Sequence, residues 1–366
     1  MNAAVRDTDP DDLFIGASDV AHCMRTVDWA NTPLGTPSTW PQSLKTVLHI
    51  MLTSRYPMWM AWGPELVFFY NDAYLPTLGE KHPGALGSSM REVWRELWPT
   101  IGTGIERVIE LGEPFSEEAM PLFFDRGGYS EETYYTFSYS PVPDDTGAVA
   151  GILSIVTDDT EHIVEGRRIE FLRLLAVDLA SAHTLDDVFA TACERLAVNG
   201  QDLPFTLIYM FDESGTCAHL ACSAGIHDDH PAAPAVLEIE DADAIWPVTG
   251  VAQSANAIKV SGLAERFADL PCGSWSIPPR EGVIVPFDRP GQERPTGFFV
   301  VGLNPHRTFD TGYAGFVNLI AGQLSASLAN AQAFSAANRD LVQEMKNREQ
   351  AEDALRQAQK LETIGQ

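Results

Sequence analysis

The sequence predicts an α+β protein with two mixed α/β domains, each an antiparallel sheet flanked by helices, joined by a helix and followed by a coiled-coil helix. Three observations predict this architecture. Strand-like runs rich in β-branched and aromatic residues fall into two groups. Apolar residues recur at helical spacing between these groups. The last segment is charged and has no Gly or Pro before Gly365, as a long exposed helix requires.

The first domain is predicted to span residues 41–158, and residues 1–40 form an N-terminal cap packed on it. The apolar spacing within Ser43–Thr53 predicts a helix at its start. Short helices are expected between the second and third strands, and turn sequences rich in Gly and Asp separate the third, fourth and fifth strands. The predicted strands are Met58–Trp62, Leu66–Tyr70, Ser116–Phe124, Glu132–Tyr139 and Gly147–Val156.

A connecting helix is predicted over residues 159–183, and the second domain over residues 184–335. Residues 224–280 are rich in Pro and Asp and are expected to be irregular. Helices are expected at both ends of this domain, over Leu185–Ala197 and Asp310–Phe334. The predicted strands are Phe205–Phe211, Thr216–Ser223, Gly282–Phe287 and Gly297–Leu303.

The C-terminal segment, residues 336–366, carries apolar residues at broken heptad spacing between charged ones. A single helix this polar buries little by itself, so a parallel two-stranded coil, and therefore a homodimer, is predicted. The residues assigned to the dimer seam are Leu341, Leu355, Leu361 and Ile364.

The charge balance is strongly acidic, with 24 Lys and Arg against 51 Asp and Glu and a net charge of −27. This charge disfavours nucleic acid and anionic membranes as partners. The five Cys are odd in number and irregularly spaced, which favours reduced thiols over a disulfide scaffold. No signal peptide and no apolar run near the roughly 20 residues of a membrane span is found, so the chain is expected to be cytoplasmic.

The first domain resembles a PAS domain. The segment Phe68–Tyr74 resembles the second PAS strand as it enters the following helix, and Gly151–Thr160 resembles the last strand with the Asp-x-Thr signature after it. The resemblance implies that Asp158 and Thr160 couple the domain to its exit helix. Asp159 stands between them, where the family usually has an apolar residue.

The second domain resembles a GAF domain through the hairpin 205–225 and the segments 283–287 and 298–303. Residues 354–366 resemble the start of the dimerisation helix of a sensor histidine kinase. Together these resemblances imply the sensory region of a two-component histidine kinase. A phosphoacceptor His and kinase core are expected beyond Gln366, with a response regulator as partner, and no catalytic residue is expected within the chain.

No cofactor is identifiable by motif. The Asn-Cys-Arg-Phe segment of flavin-binding LOV domains is absent, and Thr100–Leu111 lacks the His that a haem-binding PAS domain needs. Cys217 and Cys222 are not a convincing bilin-attachment site, since strand alternation would put them on opposite faces. His227 and His230 flank two Asp, which fits a metal site less well than a solvated turn, so no metal is expected.

Six aromatic residues of the first domain are candidates to line a ligand cavity: Trp59, Trp62, Phe68, Tyr70, Tyr134 and Phe137. They could equally form a filled core, so a small-molecule ligand stays one alternative. Two other functions remain open at this point. The chain could be a dimerisation scaffold that binds no ligand, or its input could serve a different output such as a nucleotide cyclase.

Overall fold

The computed structural model describes residues 13–14, 18–126, 128–241, 244–253, 256–287 and 294–364. The chain divides into two compact units, Met1–Glu165 and Gly166–Gln366. Each unit is a mixed α/β body with one antiparallel sheet flanked by helices, and a long helix forms the C-terminal part of the second. The predicted fold class is therefore confirmed. In the described part of the chain, each helix is too short or too polar to cross a membrane.

The first unit is built on a five-stranded antiparallel sheet with the strand order β2-β1-β5-β4-β3. Its strands are β1 (Met58–Trp62), β2 (Val67–Tyr70), β3 (Phe115–Arg126), β4 (Tyr129–Pro143) and β5 (Val149–Asp158). Its helices are α1 (Asp19–Thr26), α2 (Gln42–Thr53), α3 (Leu75–Leu78), α4 (Met90–Val93) and α5 (Trp98–Leu111).

The core of the first unit is apolar and rich in aromatic rings. Strands β1 and β2 are buried along their whole length. Helices and the N-terminal cap pack on the side chains of these strands in the same apolar core. Helix α5 begins with Pro99 in its first turn and ends at Gly112, whose left-handed backbone lets its N–H bond the Val108 carbonyl.

The second unit is built on a six-stranded antiparallel sheet with the strand order β8-β7-β6-β11-β10-β9. Its strands are β6 (Thr206–Phe211), β7 (Cys217–Ala224), β8 (Val236–Glu238), β9 (Ile258–Ser261), β10 (Glu281–Pro286) and β11 (Gly297–Gly302). Its helices are α7 (Leu185–Ala197), α8 (Val248–Gln253), α9 (Leu263–Arg266) and α10 (Thr311–Ile364), and α6 (Thr160–Leu179) runs in from the first unit.

Apolar side chains cover both faces of this second sheet. One face packs against α6, α7 and the first turns of α10. The other face, with Phe205, Tyr209 and Phe298 fully buried, packs against α8, α9 and the segments around them. A sheet covered on both faces has near-continuous apolar strands, which explains why β6, β10 and β11 lack strict alternation.

One expectation about the second unit is wrong. Residues 224–280 are not irregular, because they contain the edge strands β8 and β9 and the short helices α8 and α9. These elements of three to six residues are too short to leave a periodic signal. The helical segments expected over 310–334 and 336–366 run as one continuous helix, α10, since no Gly or Pro interrupts the chain between them.

The cysteine expectations also need correction. Cys193 of α7 and Cys222 of β7 form a disulfide with their Cα atoms 6.0 Å apart, so this pair is not reduced. The register of β6 with β7 shifts at Ile208, leaving Ala221 as an extra residue. Because of this bulge, Ala218 packs in the core of one face and Cys222 in the core of the other. Strict alternation would have kept both on one face.

Candidate functional site

A small cavity lies inside the first unit, between its sheet and the helices that follow β2. Its volume is about 30 Å³, which is room for one or two water molecules and no metabolite. The side chains around it are largely aromatic. They are Trp59, Tyr74, Thr77, Met90, Trp94, Leu97, Ile101, Leu122, Phe124, Tyr135, Phe137, Tyr139 and Val156.

Two of the six side chains predicted to line a cavity, Trp59 and Phe137, do line this one. Phe68 lies behind the first of them, with the two ring centroids 5.8 Å apart. The indole of Trp62 is buried at the end of β1, away from the lining. A ligand-binding role for these residues stays a prediction.

The hydroxyls of Tyr70 and Tyr134 make hydrogen bonds to residues that do not line the cavity. The hydroxyl of Tyr70 lies 2.9 Å from Nδ1 of His82. The hydroxyl of Tyr134 donates to Glu132 Oε1 at 2.8 Å. Residues three apart in a strand point to opposite faces, so Tyr134 and Phe137 cannot both face the cavity.

Tyr135 and Tyr139 are two of the eleven lining residues that the sequence reasoning missed. Both lie on the inward face of β4 with Phe137, at spacings of two. Side chains two apart on a strand point to the same face, so the position of Phe137 was enough to predict that Tyr135 and Tyr139 also face the cavity. Burial raises the pKa of Tyr139, so its hydroxyl stays protonated in the core.

Tyr135 connects the cavity to the start of α6 through one carboxylate. Its hydroxyl donates to Asp158 Oδ2 at 3.0 Å. The other oxygen of Asp158, Oδ1, accepts the backbone N–H of Thr160 at 3.0 Å. The buried hydroxyl of Thr160 in turn accepts the backbone N–H of Tyr134 at 2.9 Å. The two residues named for coupling thus meet one another, and they bind two successive residues of β4.

A buried polar cluster fixes α6 within the second unit. The side chain of Asp202 is fully buried and accepts Arg167 Nε and Nη2 at 2.8 Å each and Arg168 Nε at 3.1 Å. The guanidinium of Arg168 lies over the ring of Tyr313 in the first turn of α10, 4.1 Å from its centroid. Residues of α6 and α10 therefore share one buried charge cluster.

The Tyr313 hydroxyl completes this cluster. It donates to the Asp202 backbone carbonyl and accepts the Asn304 backbone N–H at 2.9 Å. Burial, and then the charge of Asp202, raise the pKa of Tyr313, so the hydroxyl remains a donor. No spacing pattern in the sequence predicts this cluster, because its members lie on three distant segments.

Two open grooves follow the surface of α10 in the second unit. The first, about 400 Å³ in volume, runs beside α6 and is lined mainly by small residues, with His183 and Phe334 at one end. These two rings stack with their centroids 5.3 Å apart. The second groove, of about 330 Å³, continues from the same two rings to Gln343.

The C-terminal half of α10 exposes apolar side chains. Phe334, Leu341, Val342 and Met345 are between 48% and 64% exposed and follow one another along the same helix. Leu341 belongs to the predicted dimer seam. The side chains of Leu355, Leu361 and Ile364 lie outside the described residues, so their part in the seam stays a prediction.

The candidate metal residues are not assembled into a site. His230 Nδ1 accepts the backbone N–H of Ala232 at 3.0 Å, which is a turn-forming contact. Within the described ranges, no three His, Cys, Asp or Glu side chains are grouped to hold a metal ion.

Comparisons with known proteins find weak structural similarities. No family model matches the sequence, and no curated protein matches it. Among solved structures, the GAF domain of an Acinetobacter phosphoenolpyruvate-protein phosphotransferase is 23% identical, with 46% of this chain and 95% of that chain covered and a TM-score of 0.34.

A methyl-accepting chemotaxis protein fragment is 18% identical, with 44% of this chain and 99% of that chain covered and a TM-score of 0.35. The chromophore-binding domain of Stigmatella aurantiaca bacteriophytochrome is 11% identical, with 76% of this chain and 97% of that chain covered and a TM-score of 0.33. Identities and TM-scores this low carry no function across, so function has to be derived from the chain's own contacts.

Proposed function

We propose that this chain is the sensory input region of a sensor histidine kinase. In this proposal the first unit is a PAS-like domain that receives an intracellular signal, and the second unit is a GAF-like domain. A homodimer formed by paired α10 helices carries the signal to a kinase core, which phosphorylates its own His and then a response regulator.

The observation that carries the proposal is the double use of Asp158. One oxygen is bound by the cavity residue Tyr135, and the other by the backbone of the first turn of α6. A change in the packing around Tyr135 therefore changes the support of a helix that leaves the unit. Such a link between a core and an exit helix is what a two-state transmission element needs.

The exposed apolar residues of α10 support the dimer. A helix that leaves Leu341, Val342 and Met345 in water gains stability when a second copy covers them. The exposed i, i+4 ion pair between Arg348 and Glu352 stabilises the isolated helix by less than about 1 kcal/mol. In this proposal, most of the stabilisation of the C-terminal half of α10 therefore comes from packing against the partner helix.

The test is phosphorylation of the natural full-length protein with γ-labelled ATP. We expect acid-labile label on a His of a dimer, and Asp158→Asn should change the labelling rate at least severalfold while the dimer persists. Asp144→Asn is the matched control, because Asp144 only caps the hairpin between β4 and β5. Formation of a cyclic nucleotide instead of phosphohistidine would contradict the kinase output.

A scaffold that dimerises without binding a ligand is the second candidate, and the small volume of the cavity favours it. An absorption spectrum combined with native mass spectrometry tests for a retained cofactor. Thermal unfolding with candidate metabolites tests for weaker ligands, since a ligand at 100 times its Kd adds about 2.7 kcal/mol. Unchanged mass, spectrum and stability with every metabolite would support the scaffold.

A further inference from the structure

Helix α1 is held on the first unit by contacts at two of its turns. The carboxylate of Asp72 accepts the backbone N–H of Asp19 at 3.2 Å and of Val20 at 3.0 Å, which satisfies two donors at the helix start. One turn later, Cys23 Sγ lies 3.9 Å from Nε2 of His82. The helix thus presents a half-buried thiol to an imidazole.

The imidazole of His82 is held from its other side. Its Nδ1 lies 2.9 Å from the hydroxyl of Tyr70, and the two rings meet edge to face with centroids 5.8 Å apart. Burial, and then the charge of Cys23, raise the pKa of Tyr70, so this group remains a neutral phenol. When Nδ1 of the neutral imidazole carries the proton and donates it to the Tyr70 oxygen, Nε2 is unprotonated and can accept a proton. The same Nδ1–H bond persists in the imidazolium, so the phenol oxygen serves both forms of His82.

We propose that Cys23 is a modification site at which peroxides oxidise the thiol to a sulfenic acid, with His82 as the proton acceptor and Tyr70 as its positioning residue. The thiol proton moves to Nε2 of His82, and the resulting thiolate attacks one oxygen of the peroxide. The O–O bond breaks, and the leaving hydroxide or alkoxide takes the proton from Nε2. Sulfur loses two electrons and the peroxide gains them.

The other free thiols of the described chain have different surroundings. Cys217 and Cys272 are also half-buried. The sulfur contacts recorded for them are with the Thr216 hydroxyl at 3.9 Å and the Leu270 carbonyl at 3.8 Å, and neither group takes up a proton at neutral pH. Cys217 and Cys272 are therefore in the same exposure class as Cys23, but the sulfur of Cys23 contacts an imidazole and theirs contact a hydroxyl and a carbonyl.

The position of Cys23 also connects it to the core. The ring of Tyr70 lies 6.4 Å from that of Tyr74, which lines the cavity. An oxygen added to the Cys23 sulfur has to displace either that sulfur or the His82 ring. A shift of His82 would reach the cavity through Tyr70 and Tyr74, so oxidation would alter the aromatic core that also contains Tyr135. The oxidation itself does not depend on the proposed function, whereas its effect on a kinase output does.

The experiment treats the purified full chain with hydrogen peroxide and dimedone at pH 7 and measures the adduct at each thiol by peptide mass spectrometry. We expect Cys23 to react at least tenfold faster than Cys217 and Cys272. His82→Gln, whose amide fills the space and takes up no proton, should bring Cys23 to their rate. Tyr70→Phe should slow Cys23 severalfold and leave the other two unchanged.

Equal rates for the three thiols in the unmodified protein would overturn the proposal, and this comparison needs no variant. A fast Cys23 whose rate survives His82→Gln would overturn the role of the imidazole. Kinase activity is not part of the readout, so loss of the proposed function would leave these results interpretable.

Discussion

Replacing Asp202 with Ala should destabilise the second unit strongly. Asp202 accepts three N–H groups from two arginines and has no exposed side-chain surface. Arg167 is the more exposed of the two and can rehydrate, but the side chain of Arg168 is only 9% exposed. Its Nη2 is already buried without a hydrogen-bond partner in the described structure. The variant therefore leaves one buried charge unpaired.

The expected loss is about 3 kcal/mol. Removing one partner of a buried ion pair costs about 3–5 kcal/mol. The cation–π contact of Arg168 with Tyr313 is present before and after the change and cancels in the difference. The lower end of the range is expected because Arg167 can rehydrate. Changing both partners, Asp202→Ala with Arg168→Met, should restore most of the stability, because the pair is then replaced by apolar packing.

Hydrogen exchange measured by mass spectrometry on the full chain is the assay. A loss of 3 kcal/mol corresponds to roughly 100-fold faster exchange of the most protected β6 amides, since about 1.4 kcal/mol is a factor of ten. The β5 amides of the first unit are the internal control and should not change. Less than a tenfold change in β6, or an equal change in β5, would refute this account of the cluster.

Three further outcomes are expected. Hydrogen bonds from Ser214 and from the backbone of Cys217 lower the pKa of Asp212 to about 2 from its usual 3.8. Its stabilising effect is therefore present above pH 4 and lost as the pH falls to 2, so Asp212→Asn should flatten the acid dependence of hairpin exchange there. Leu341→Glu should weaken the dimer in analytical ultracentrifugation, whereas Gln343→Glu should not. Non-reducing peptide mapping should find Cys193 joined to Cys222, and reduction should cost about 2–4 kcal/mol.

Local signals predicted several elements well. Helix α7 has the bounds that the sequence predicted, and a capping box of Thr184 and Asp187 fixes its start. Strands β1 and β10 agree within one residue of prediction, since turns bound them. The PAS resemblance assigned Asp158 and Thr160 to the junction with the exit helix, where they bond each other and two residues of β4. Their coupling role stays a prediction.

Features that depend on tertiary contacts could not be predicted. The Asp202 cluster joins residues 34, 35 and 111 positions away in sequence, so no spacing rule contains it. The disulfide depends on α7 lying across β7, and the bulge at Ala221 changes which face Cys222 occupies. The sequence indicated an aromatic core in the first domain, but the volume of the cavity inside that core depends on how the side chains pack.

The most direct test of the central claim is hydrogen exchange in the first turns of α6 for two matched variants. Tyr135→Phe removes the hydroxyl that holds Asp158, a hydrogen bond to a charged group worth about 1.5 kcal/mol, so we predict roughly tenfold faster exchange at Ile163 and Val164. Tyr139→Phe removes a hydroxyl from the same cavity without touching Asp158 and should leave these amides unchanged. Equal exchange in both variants would contradict the coupling of the core to α6.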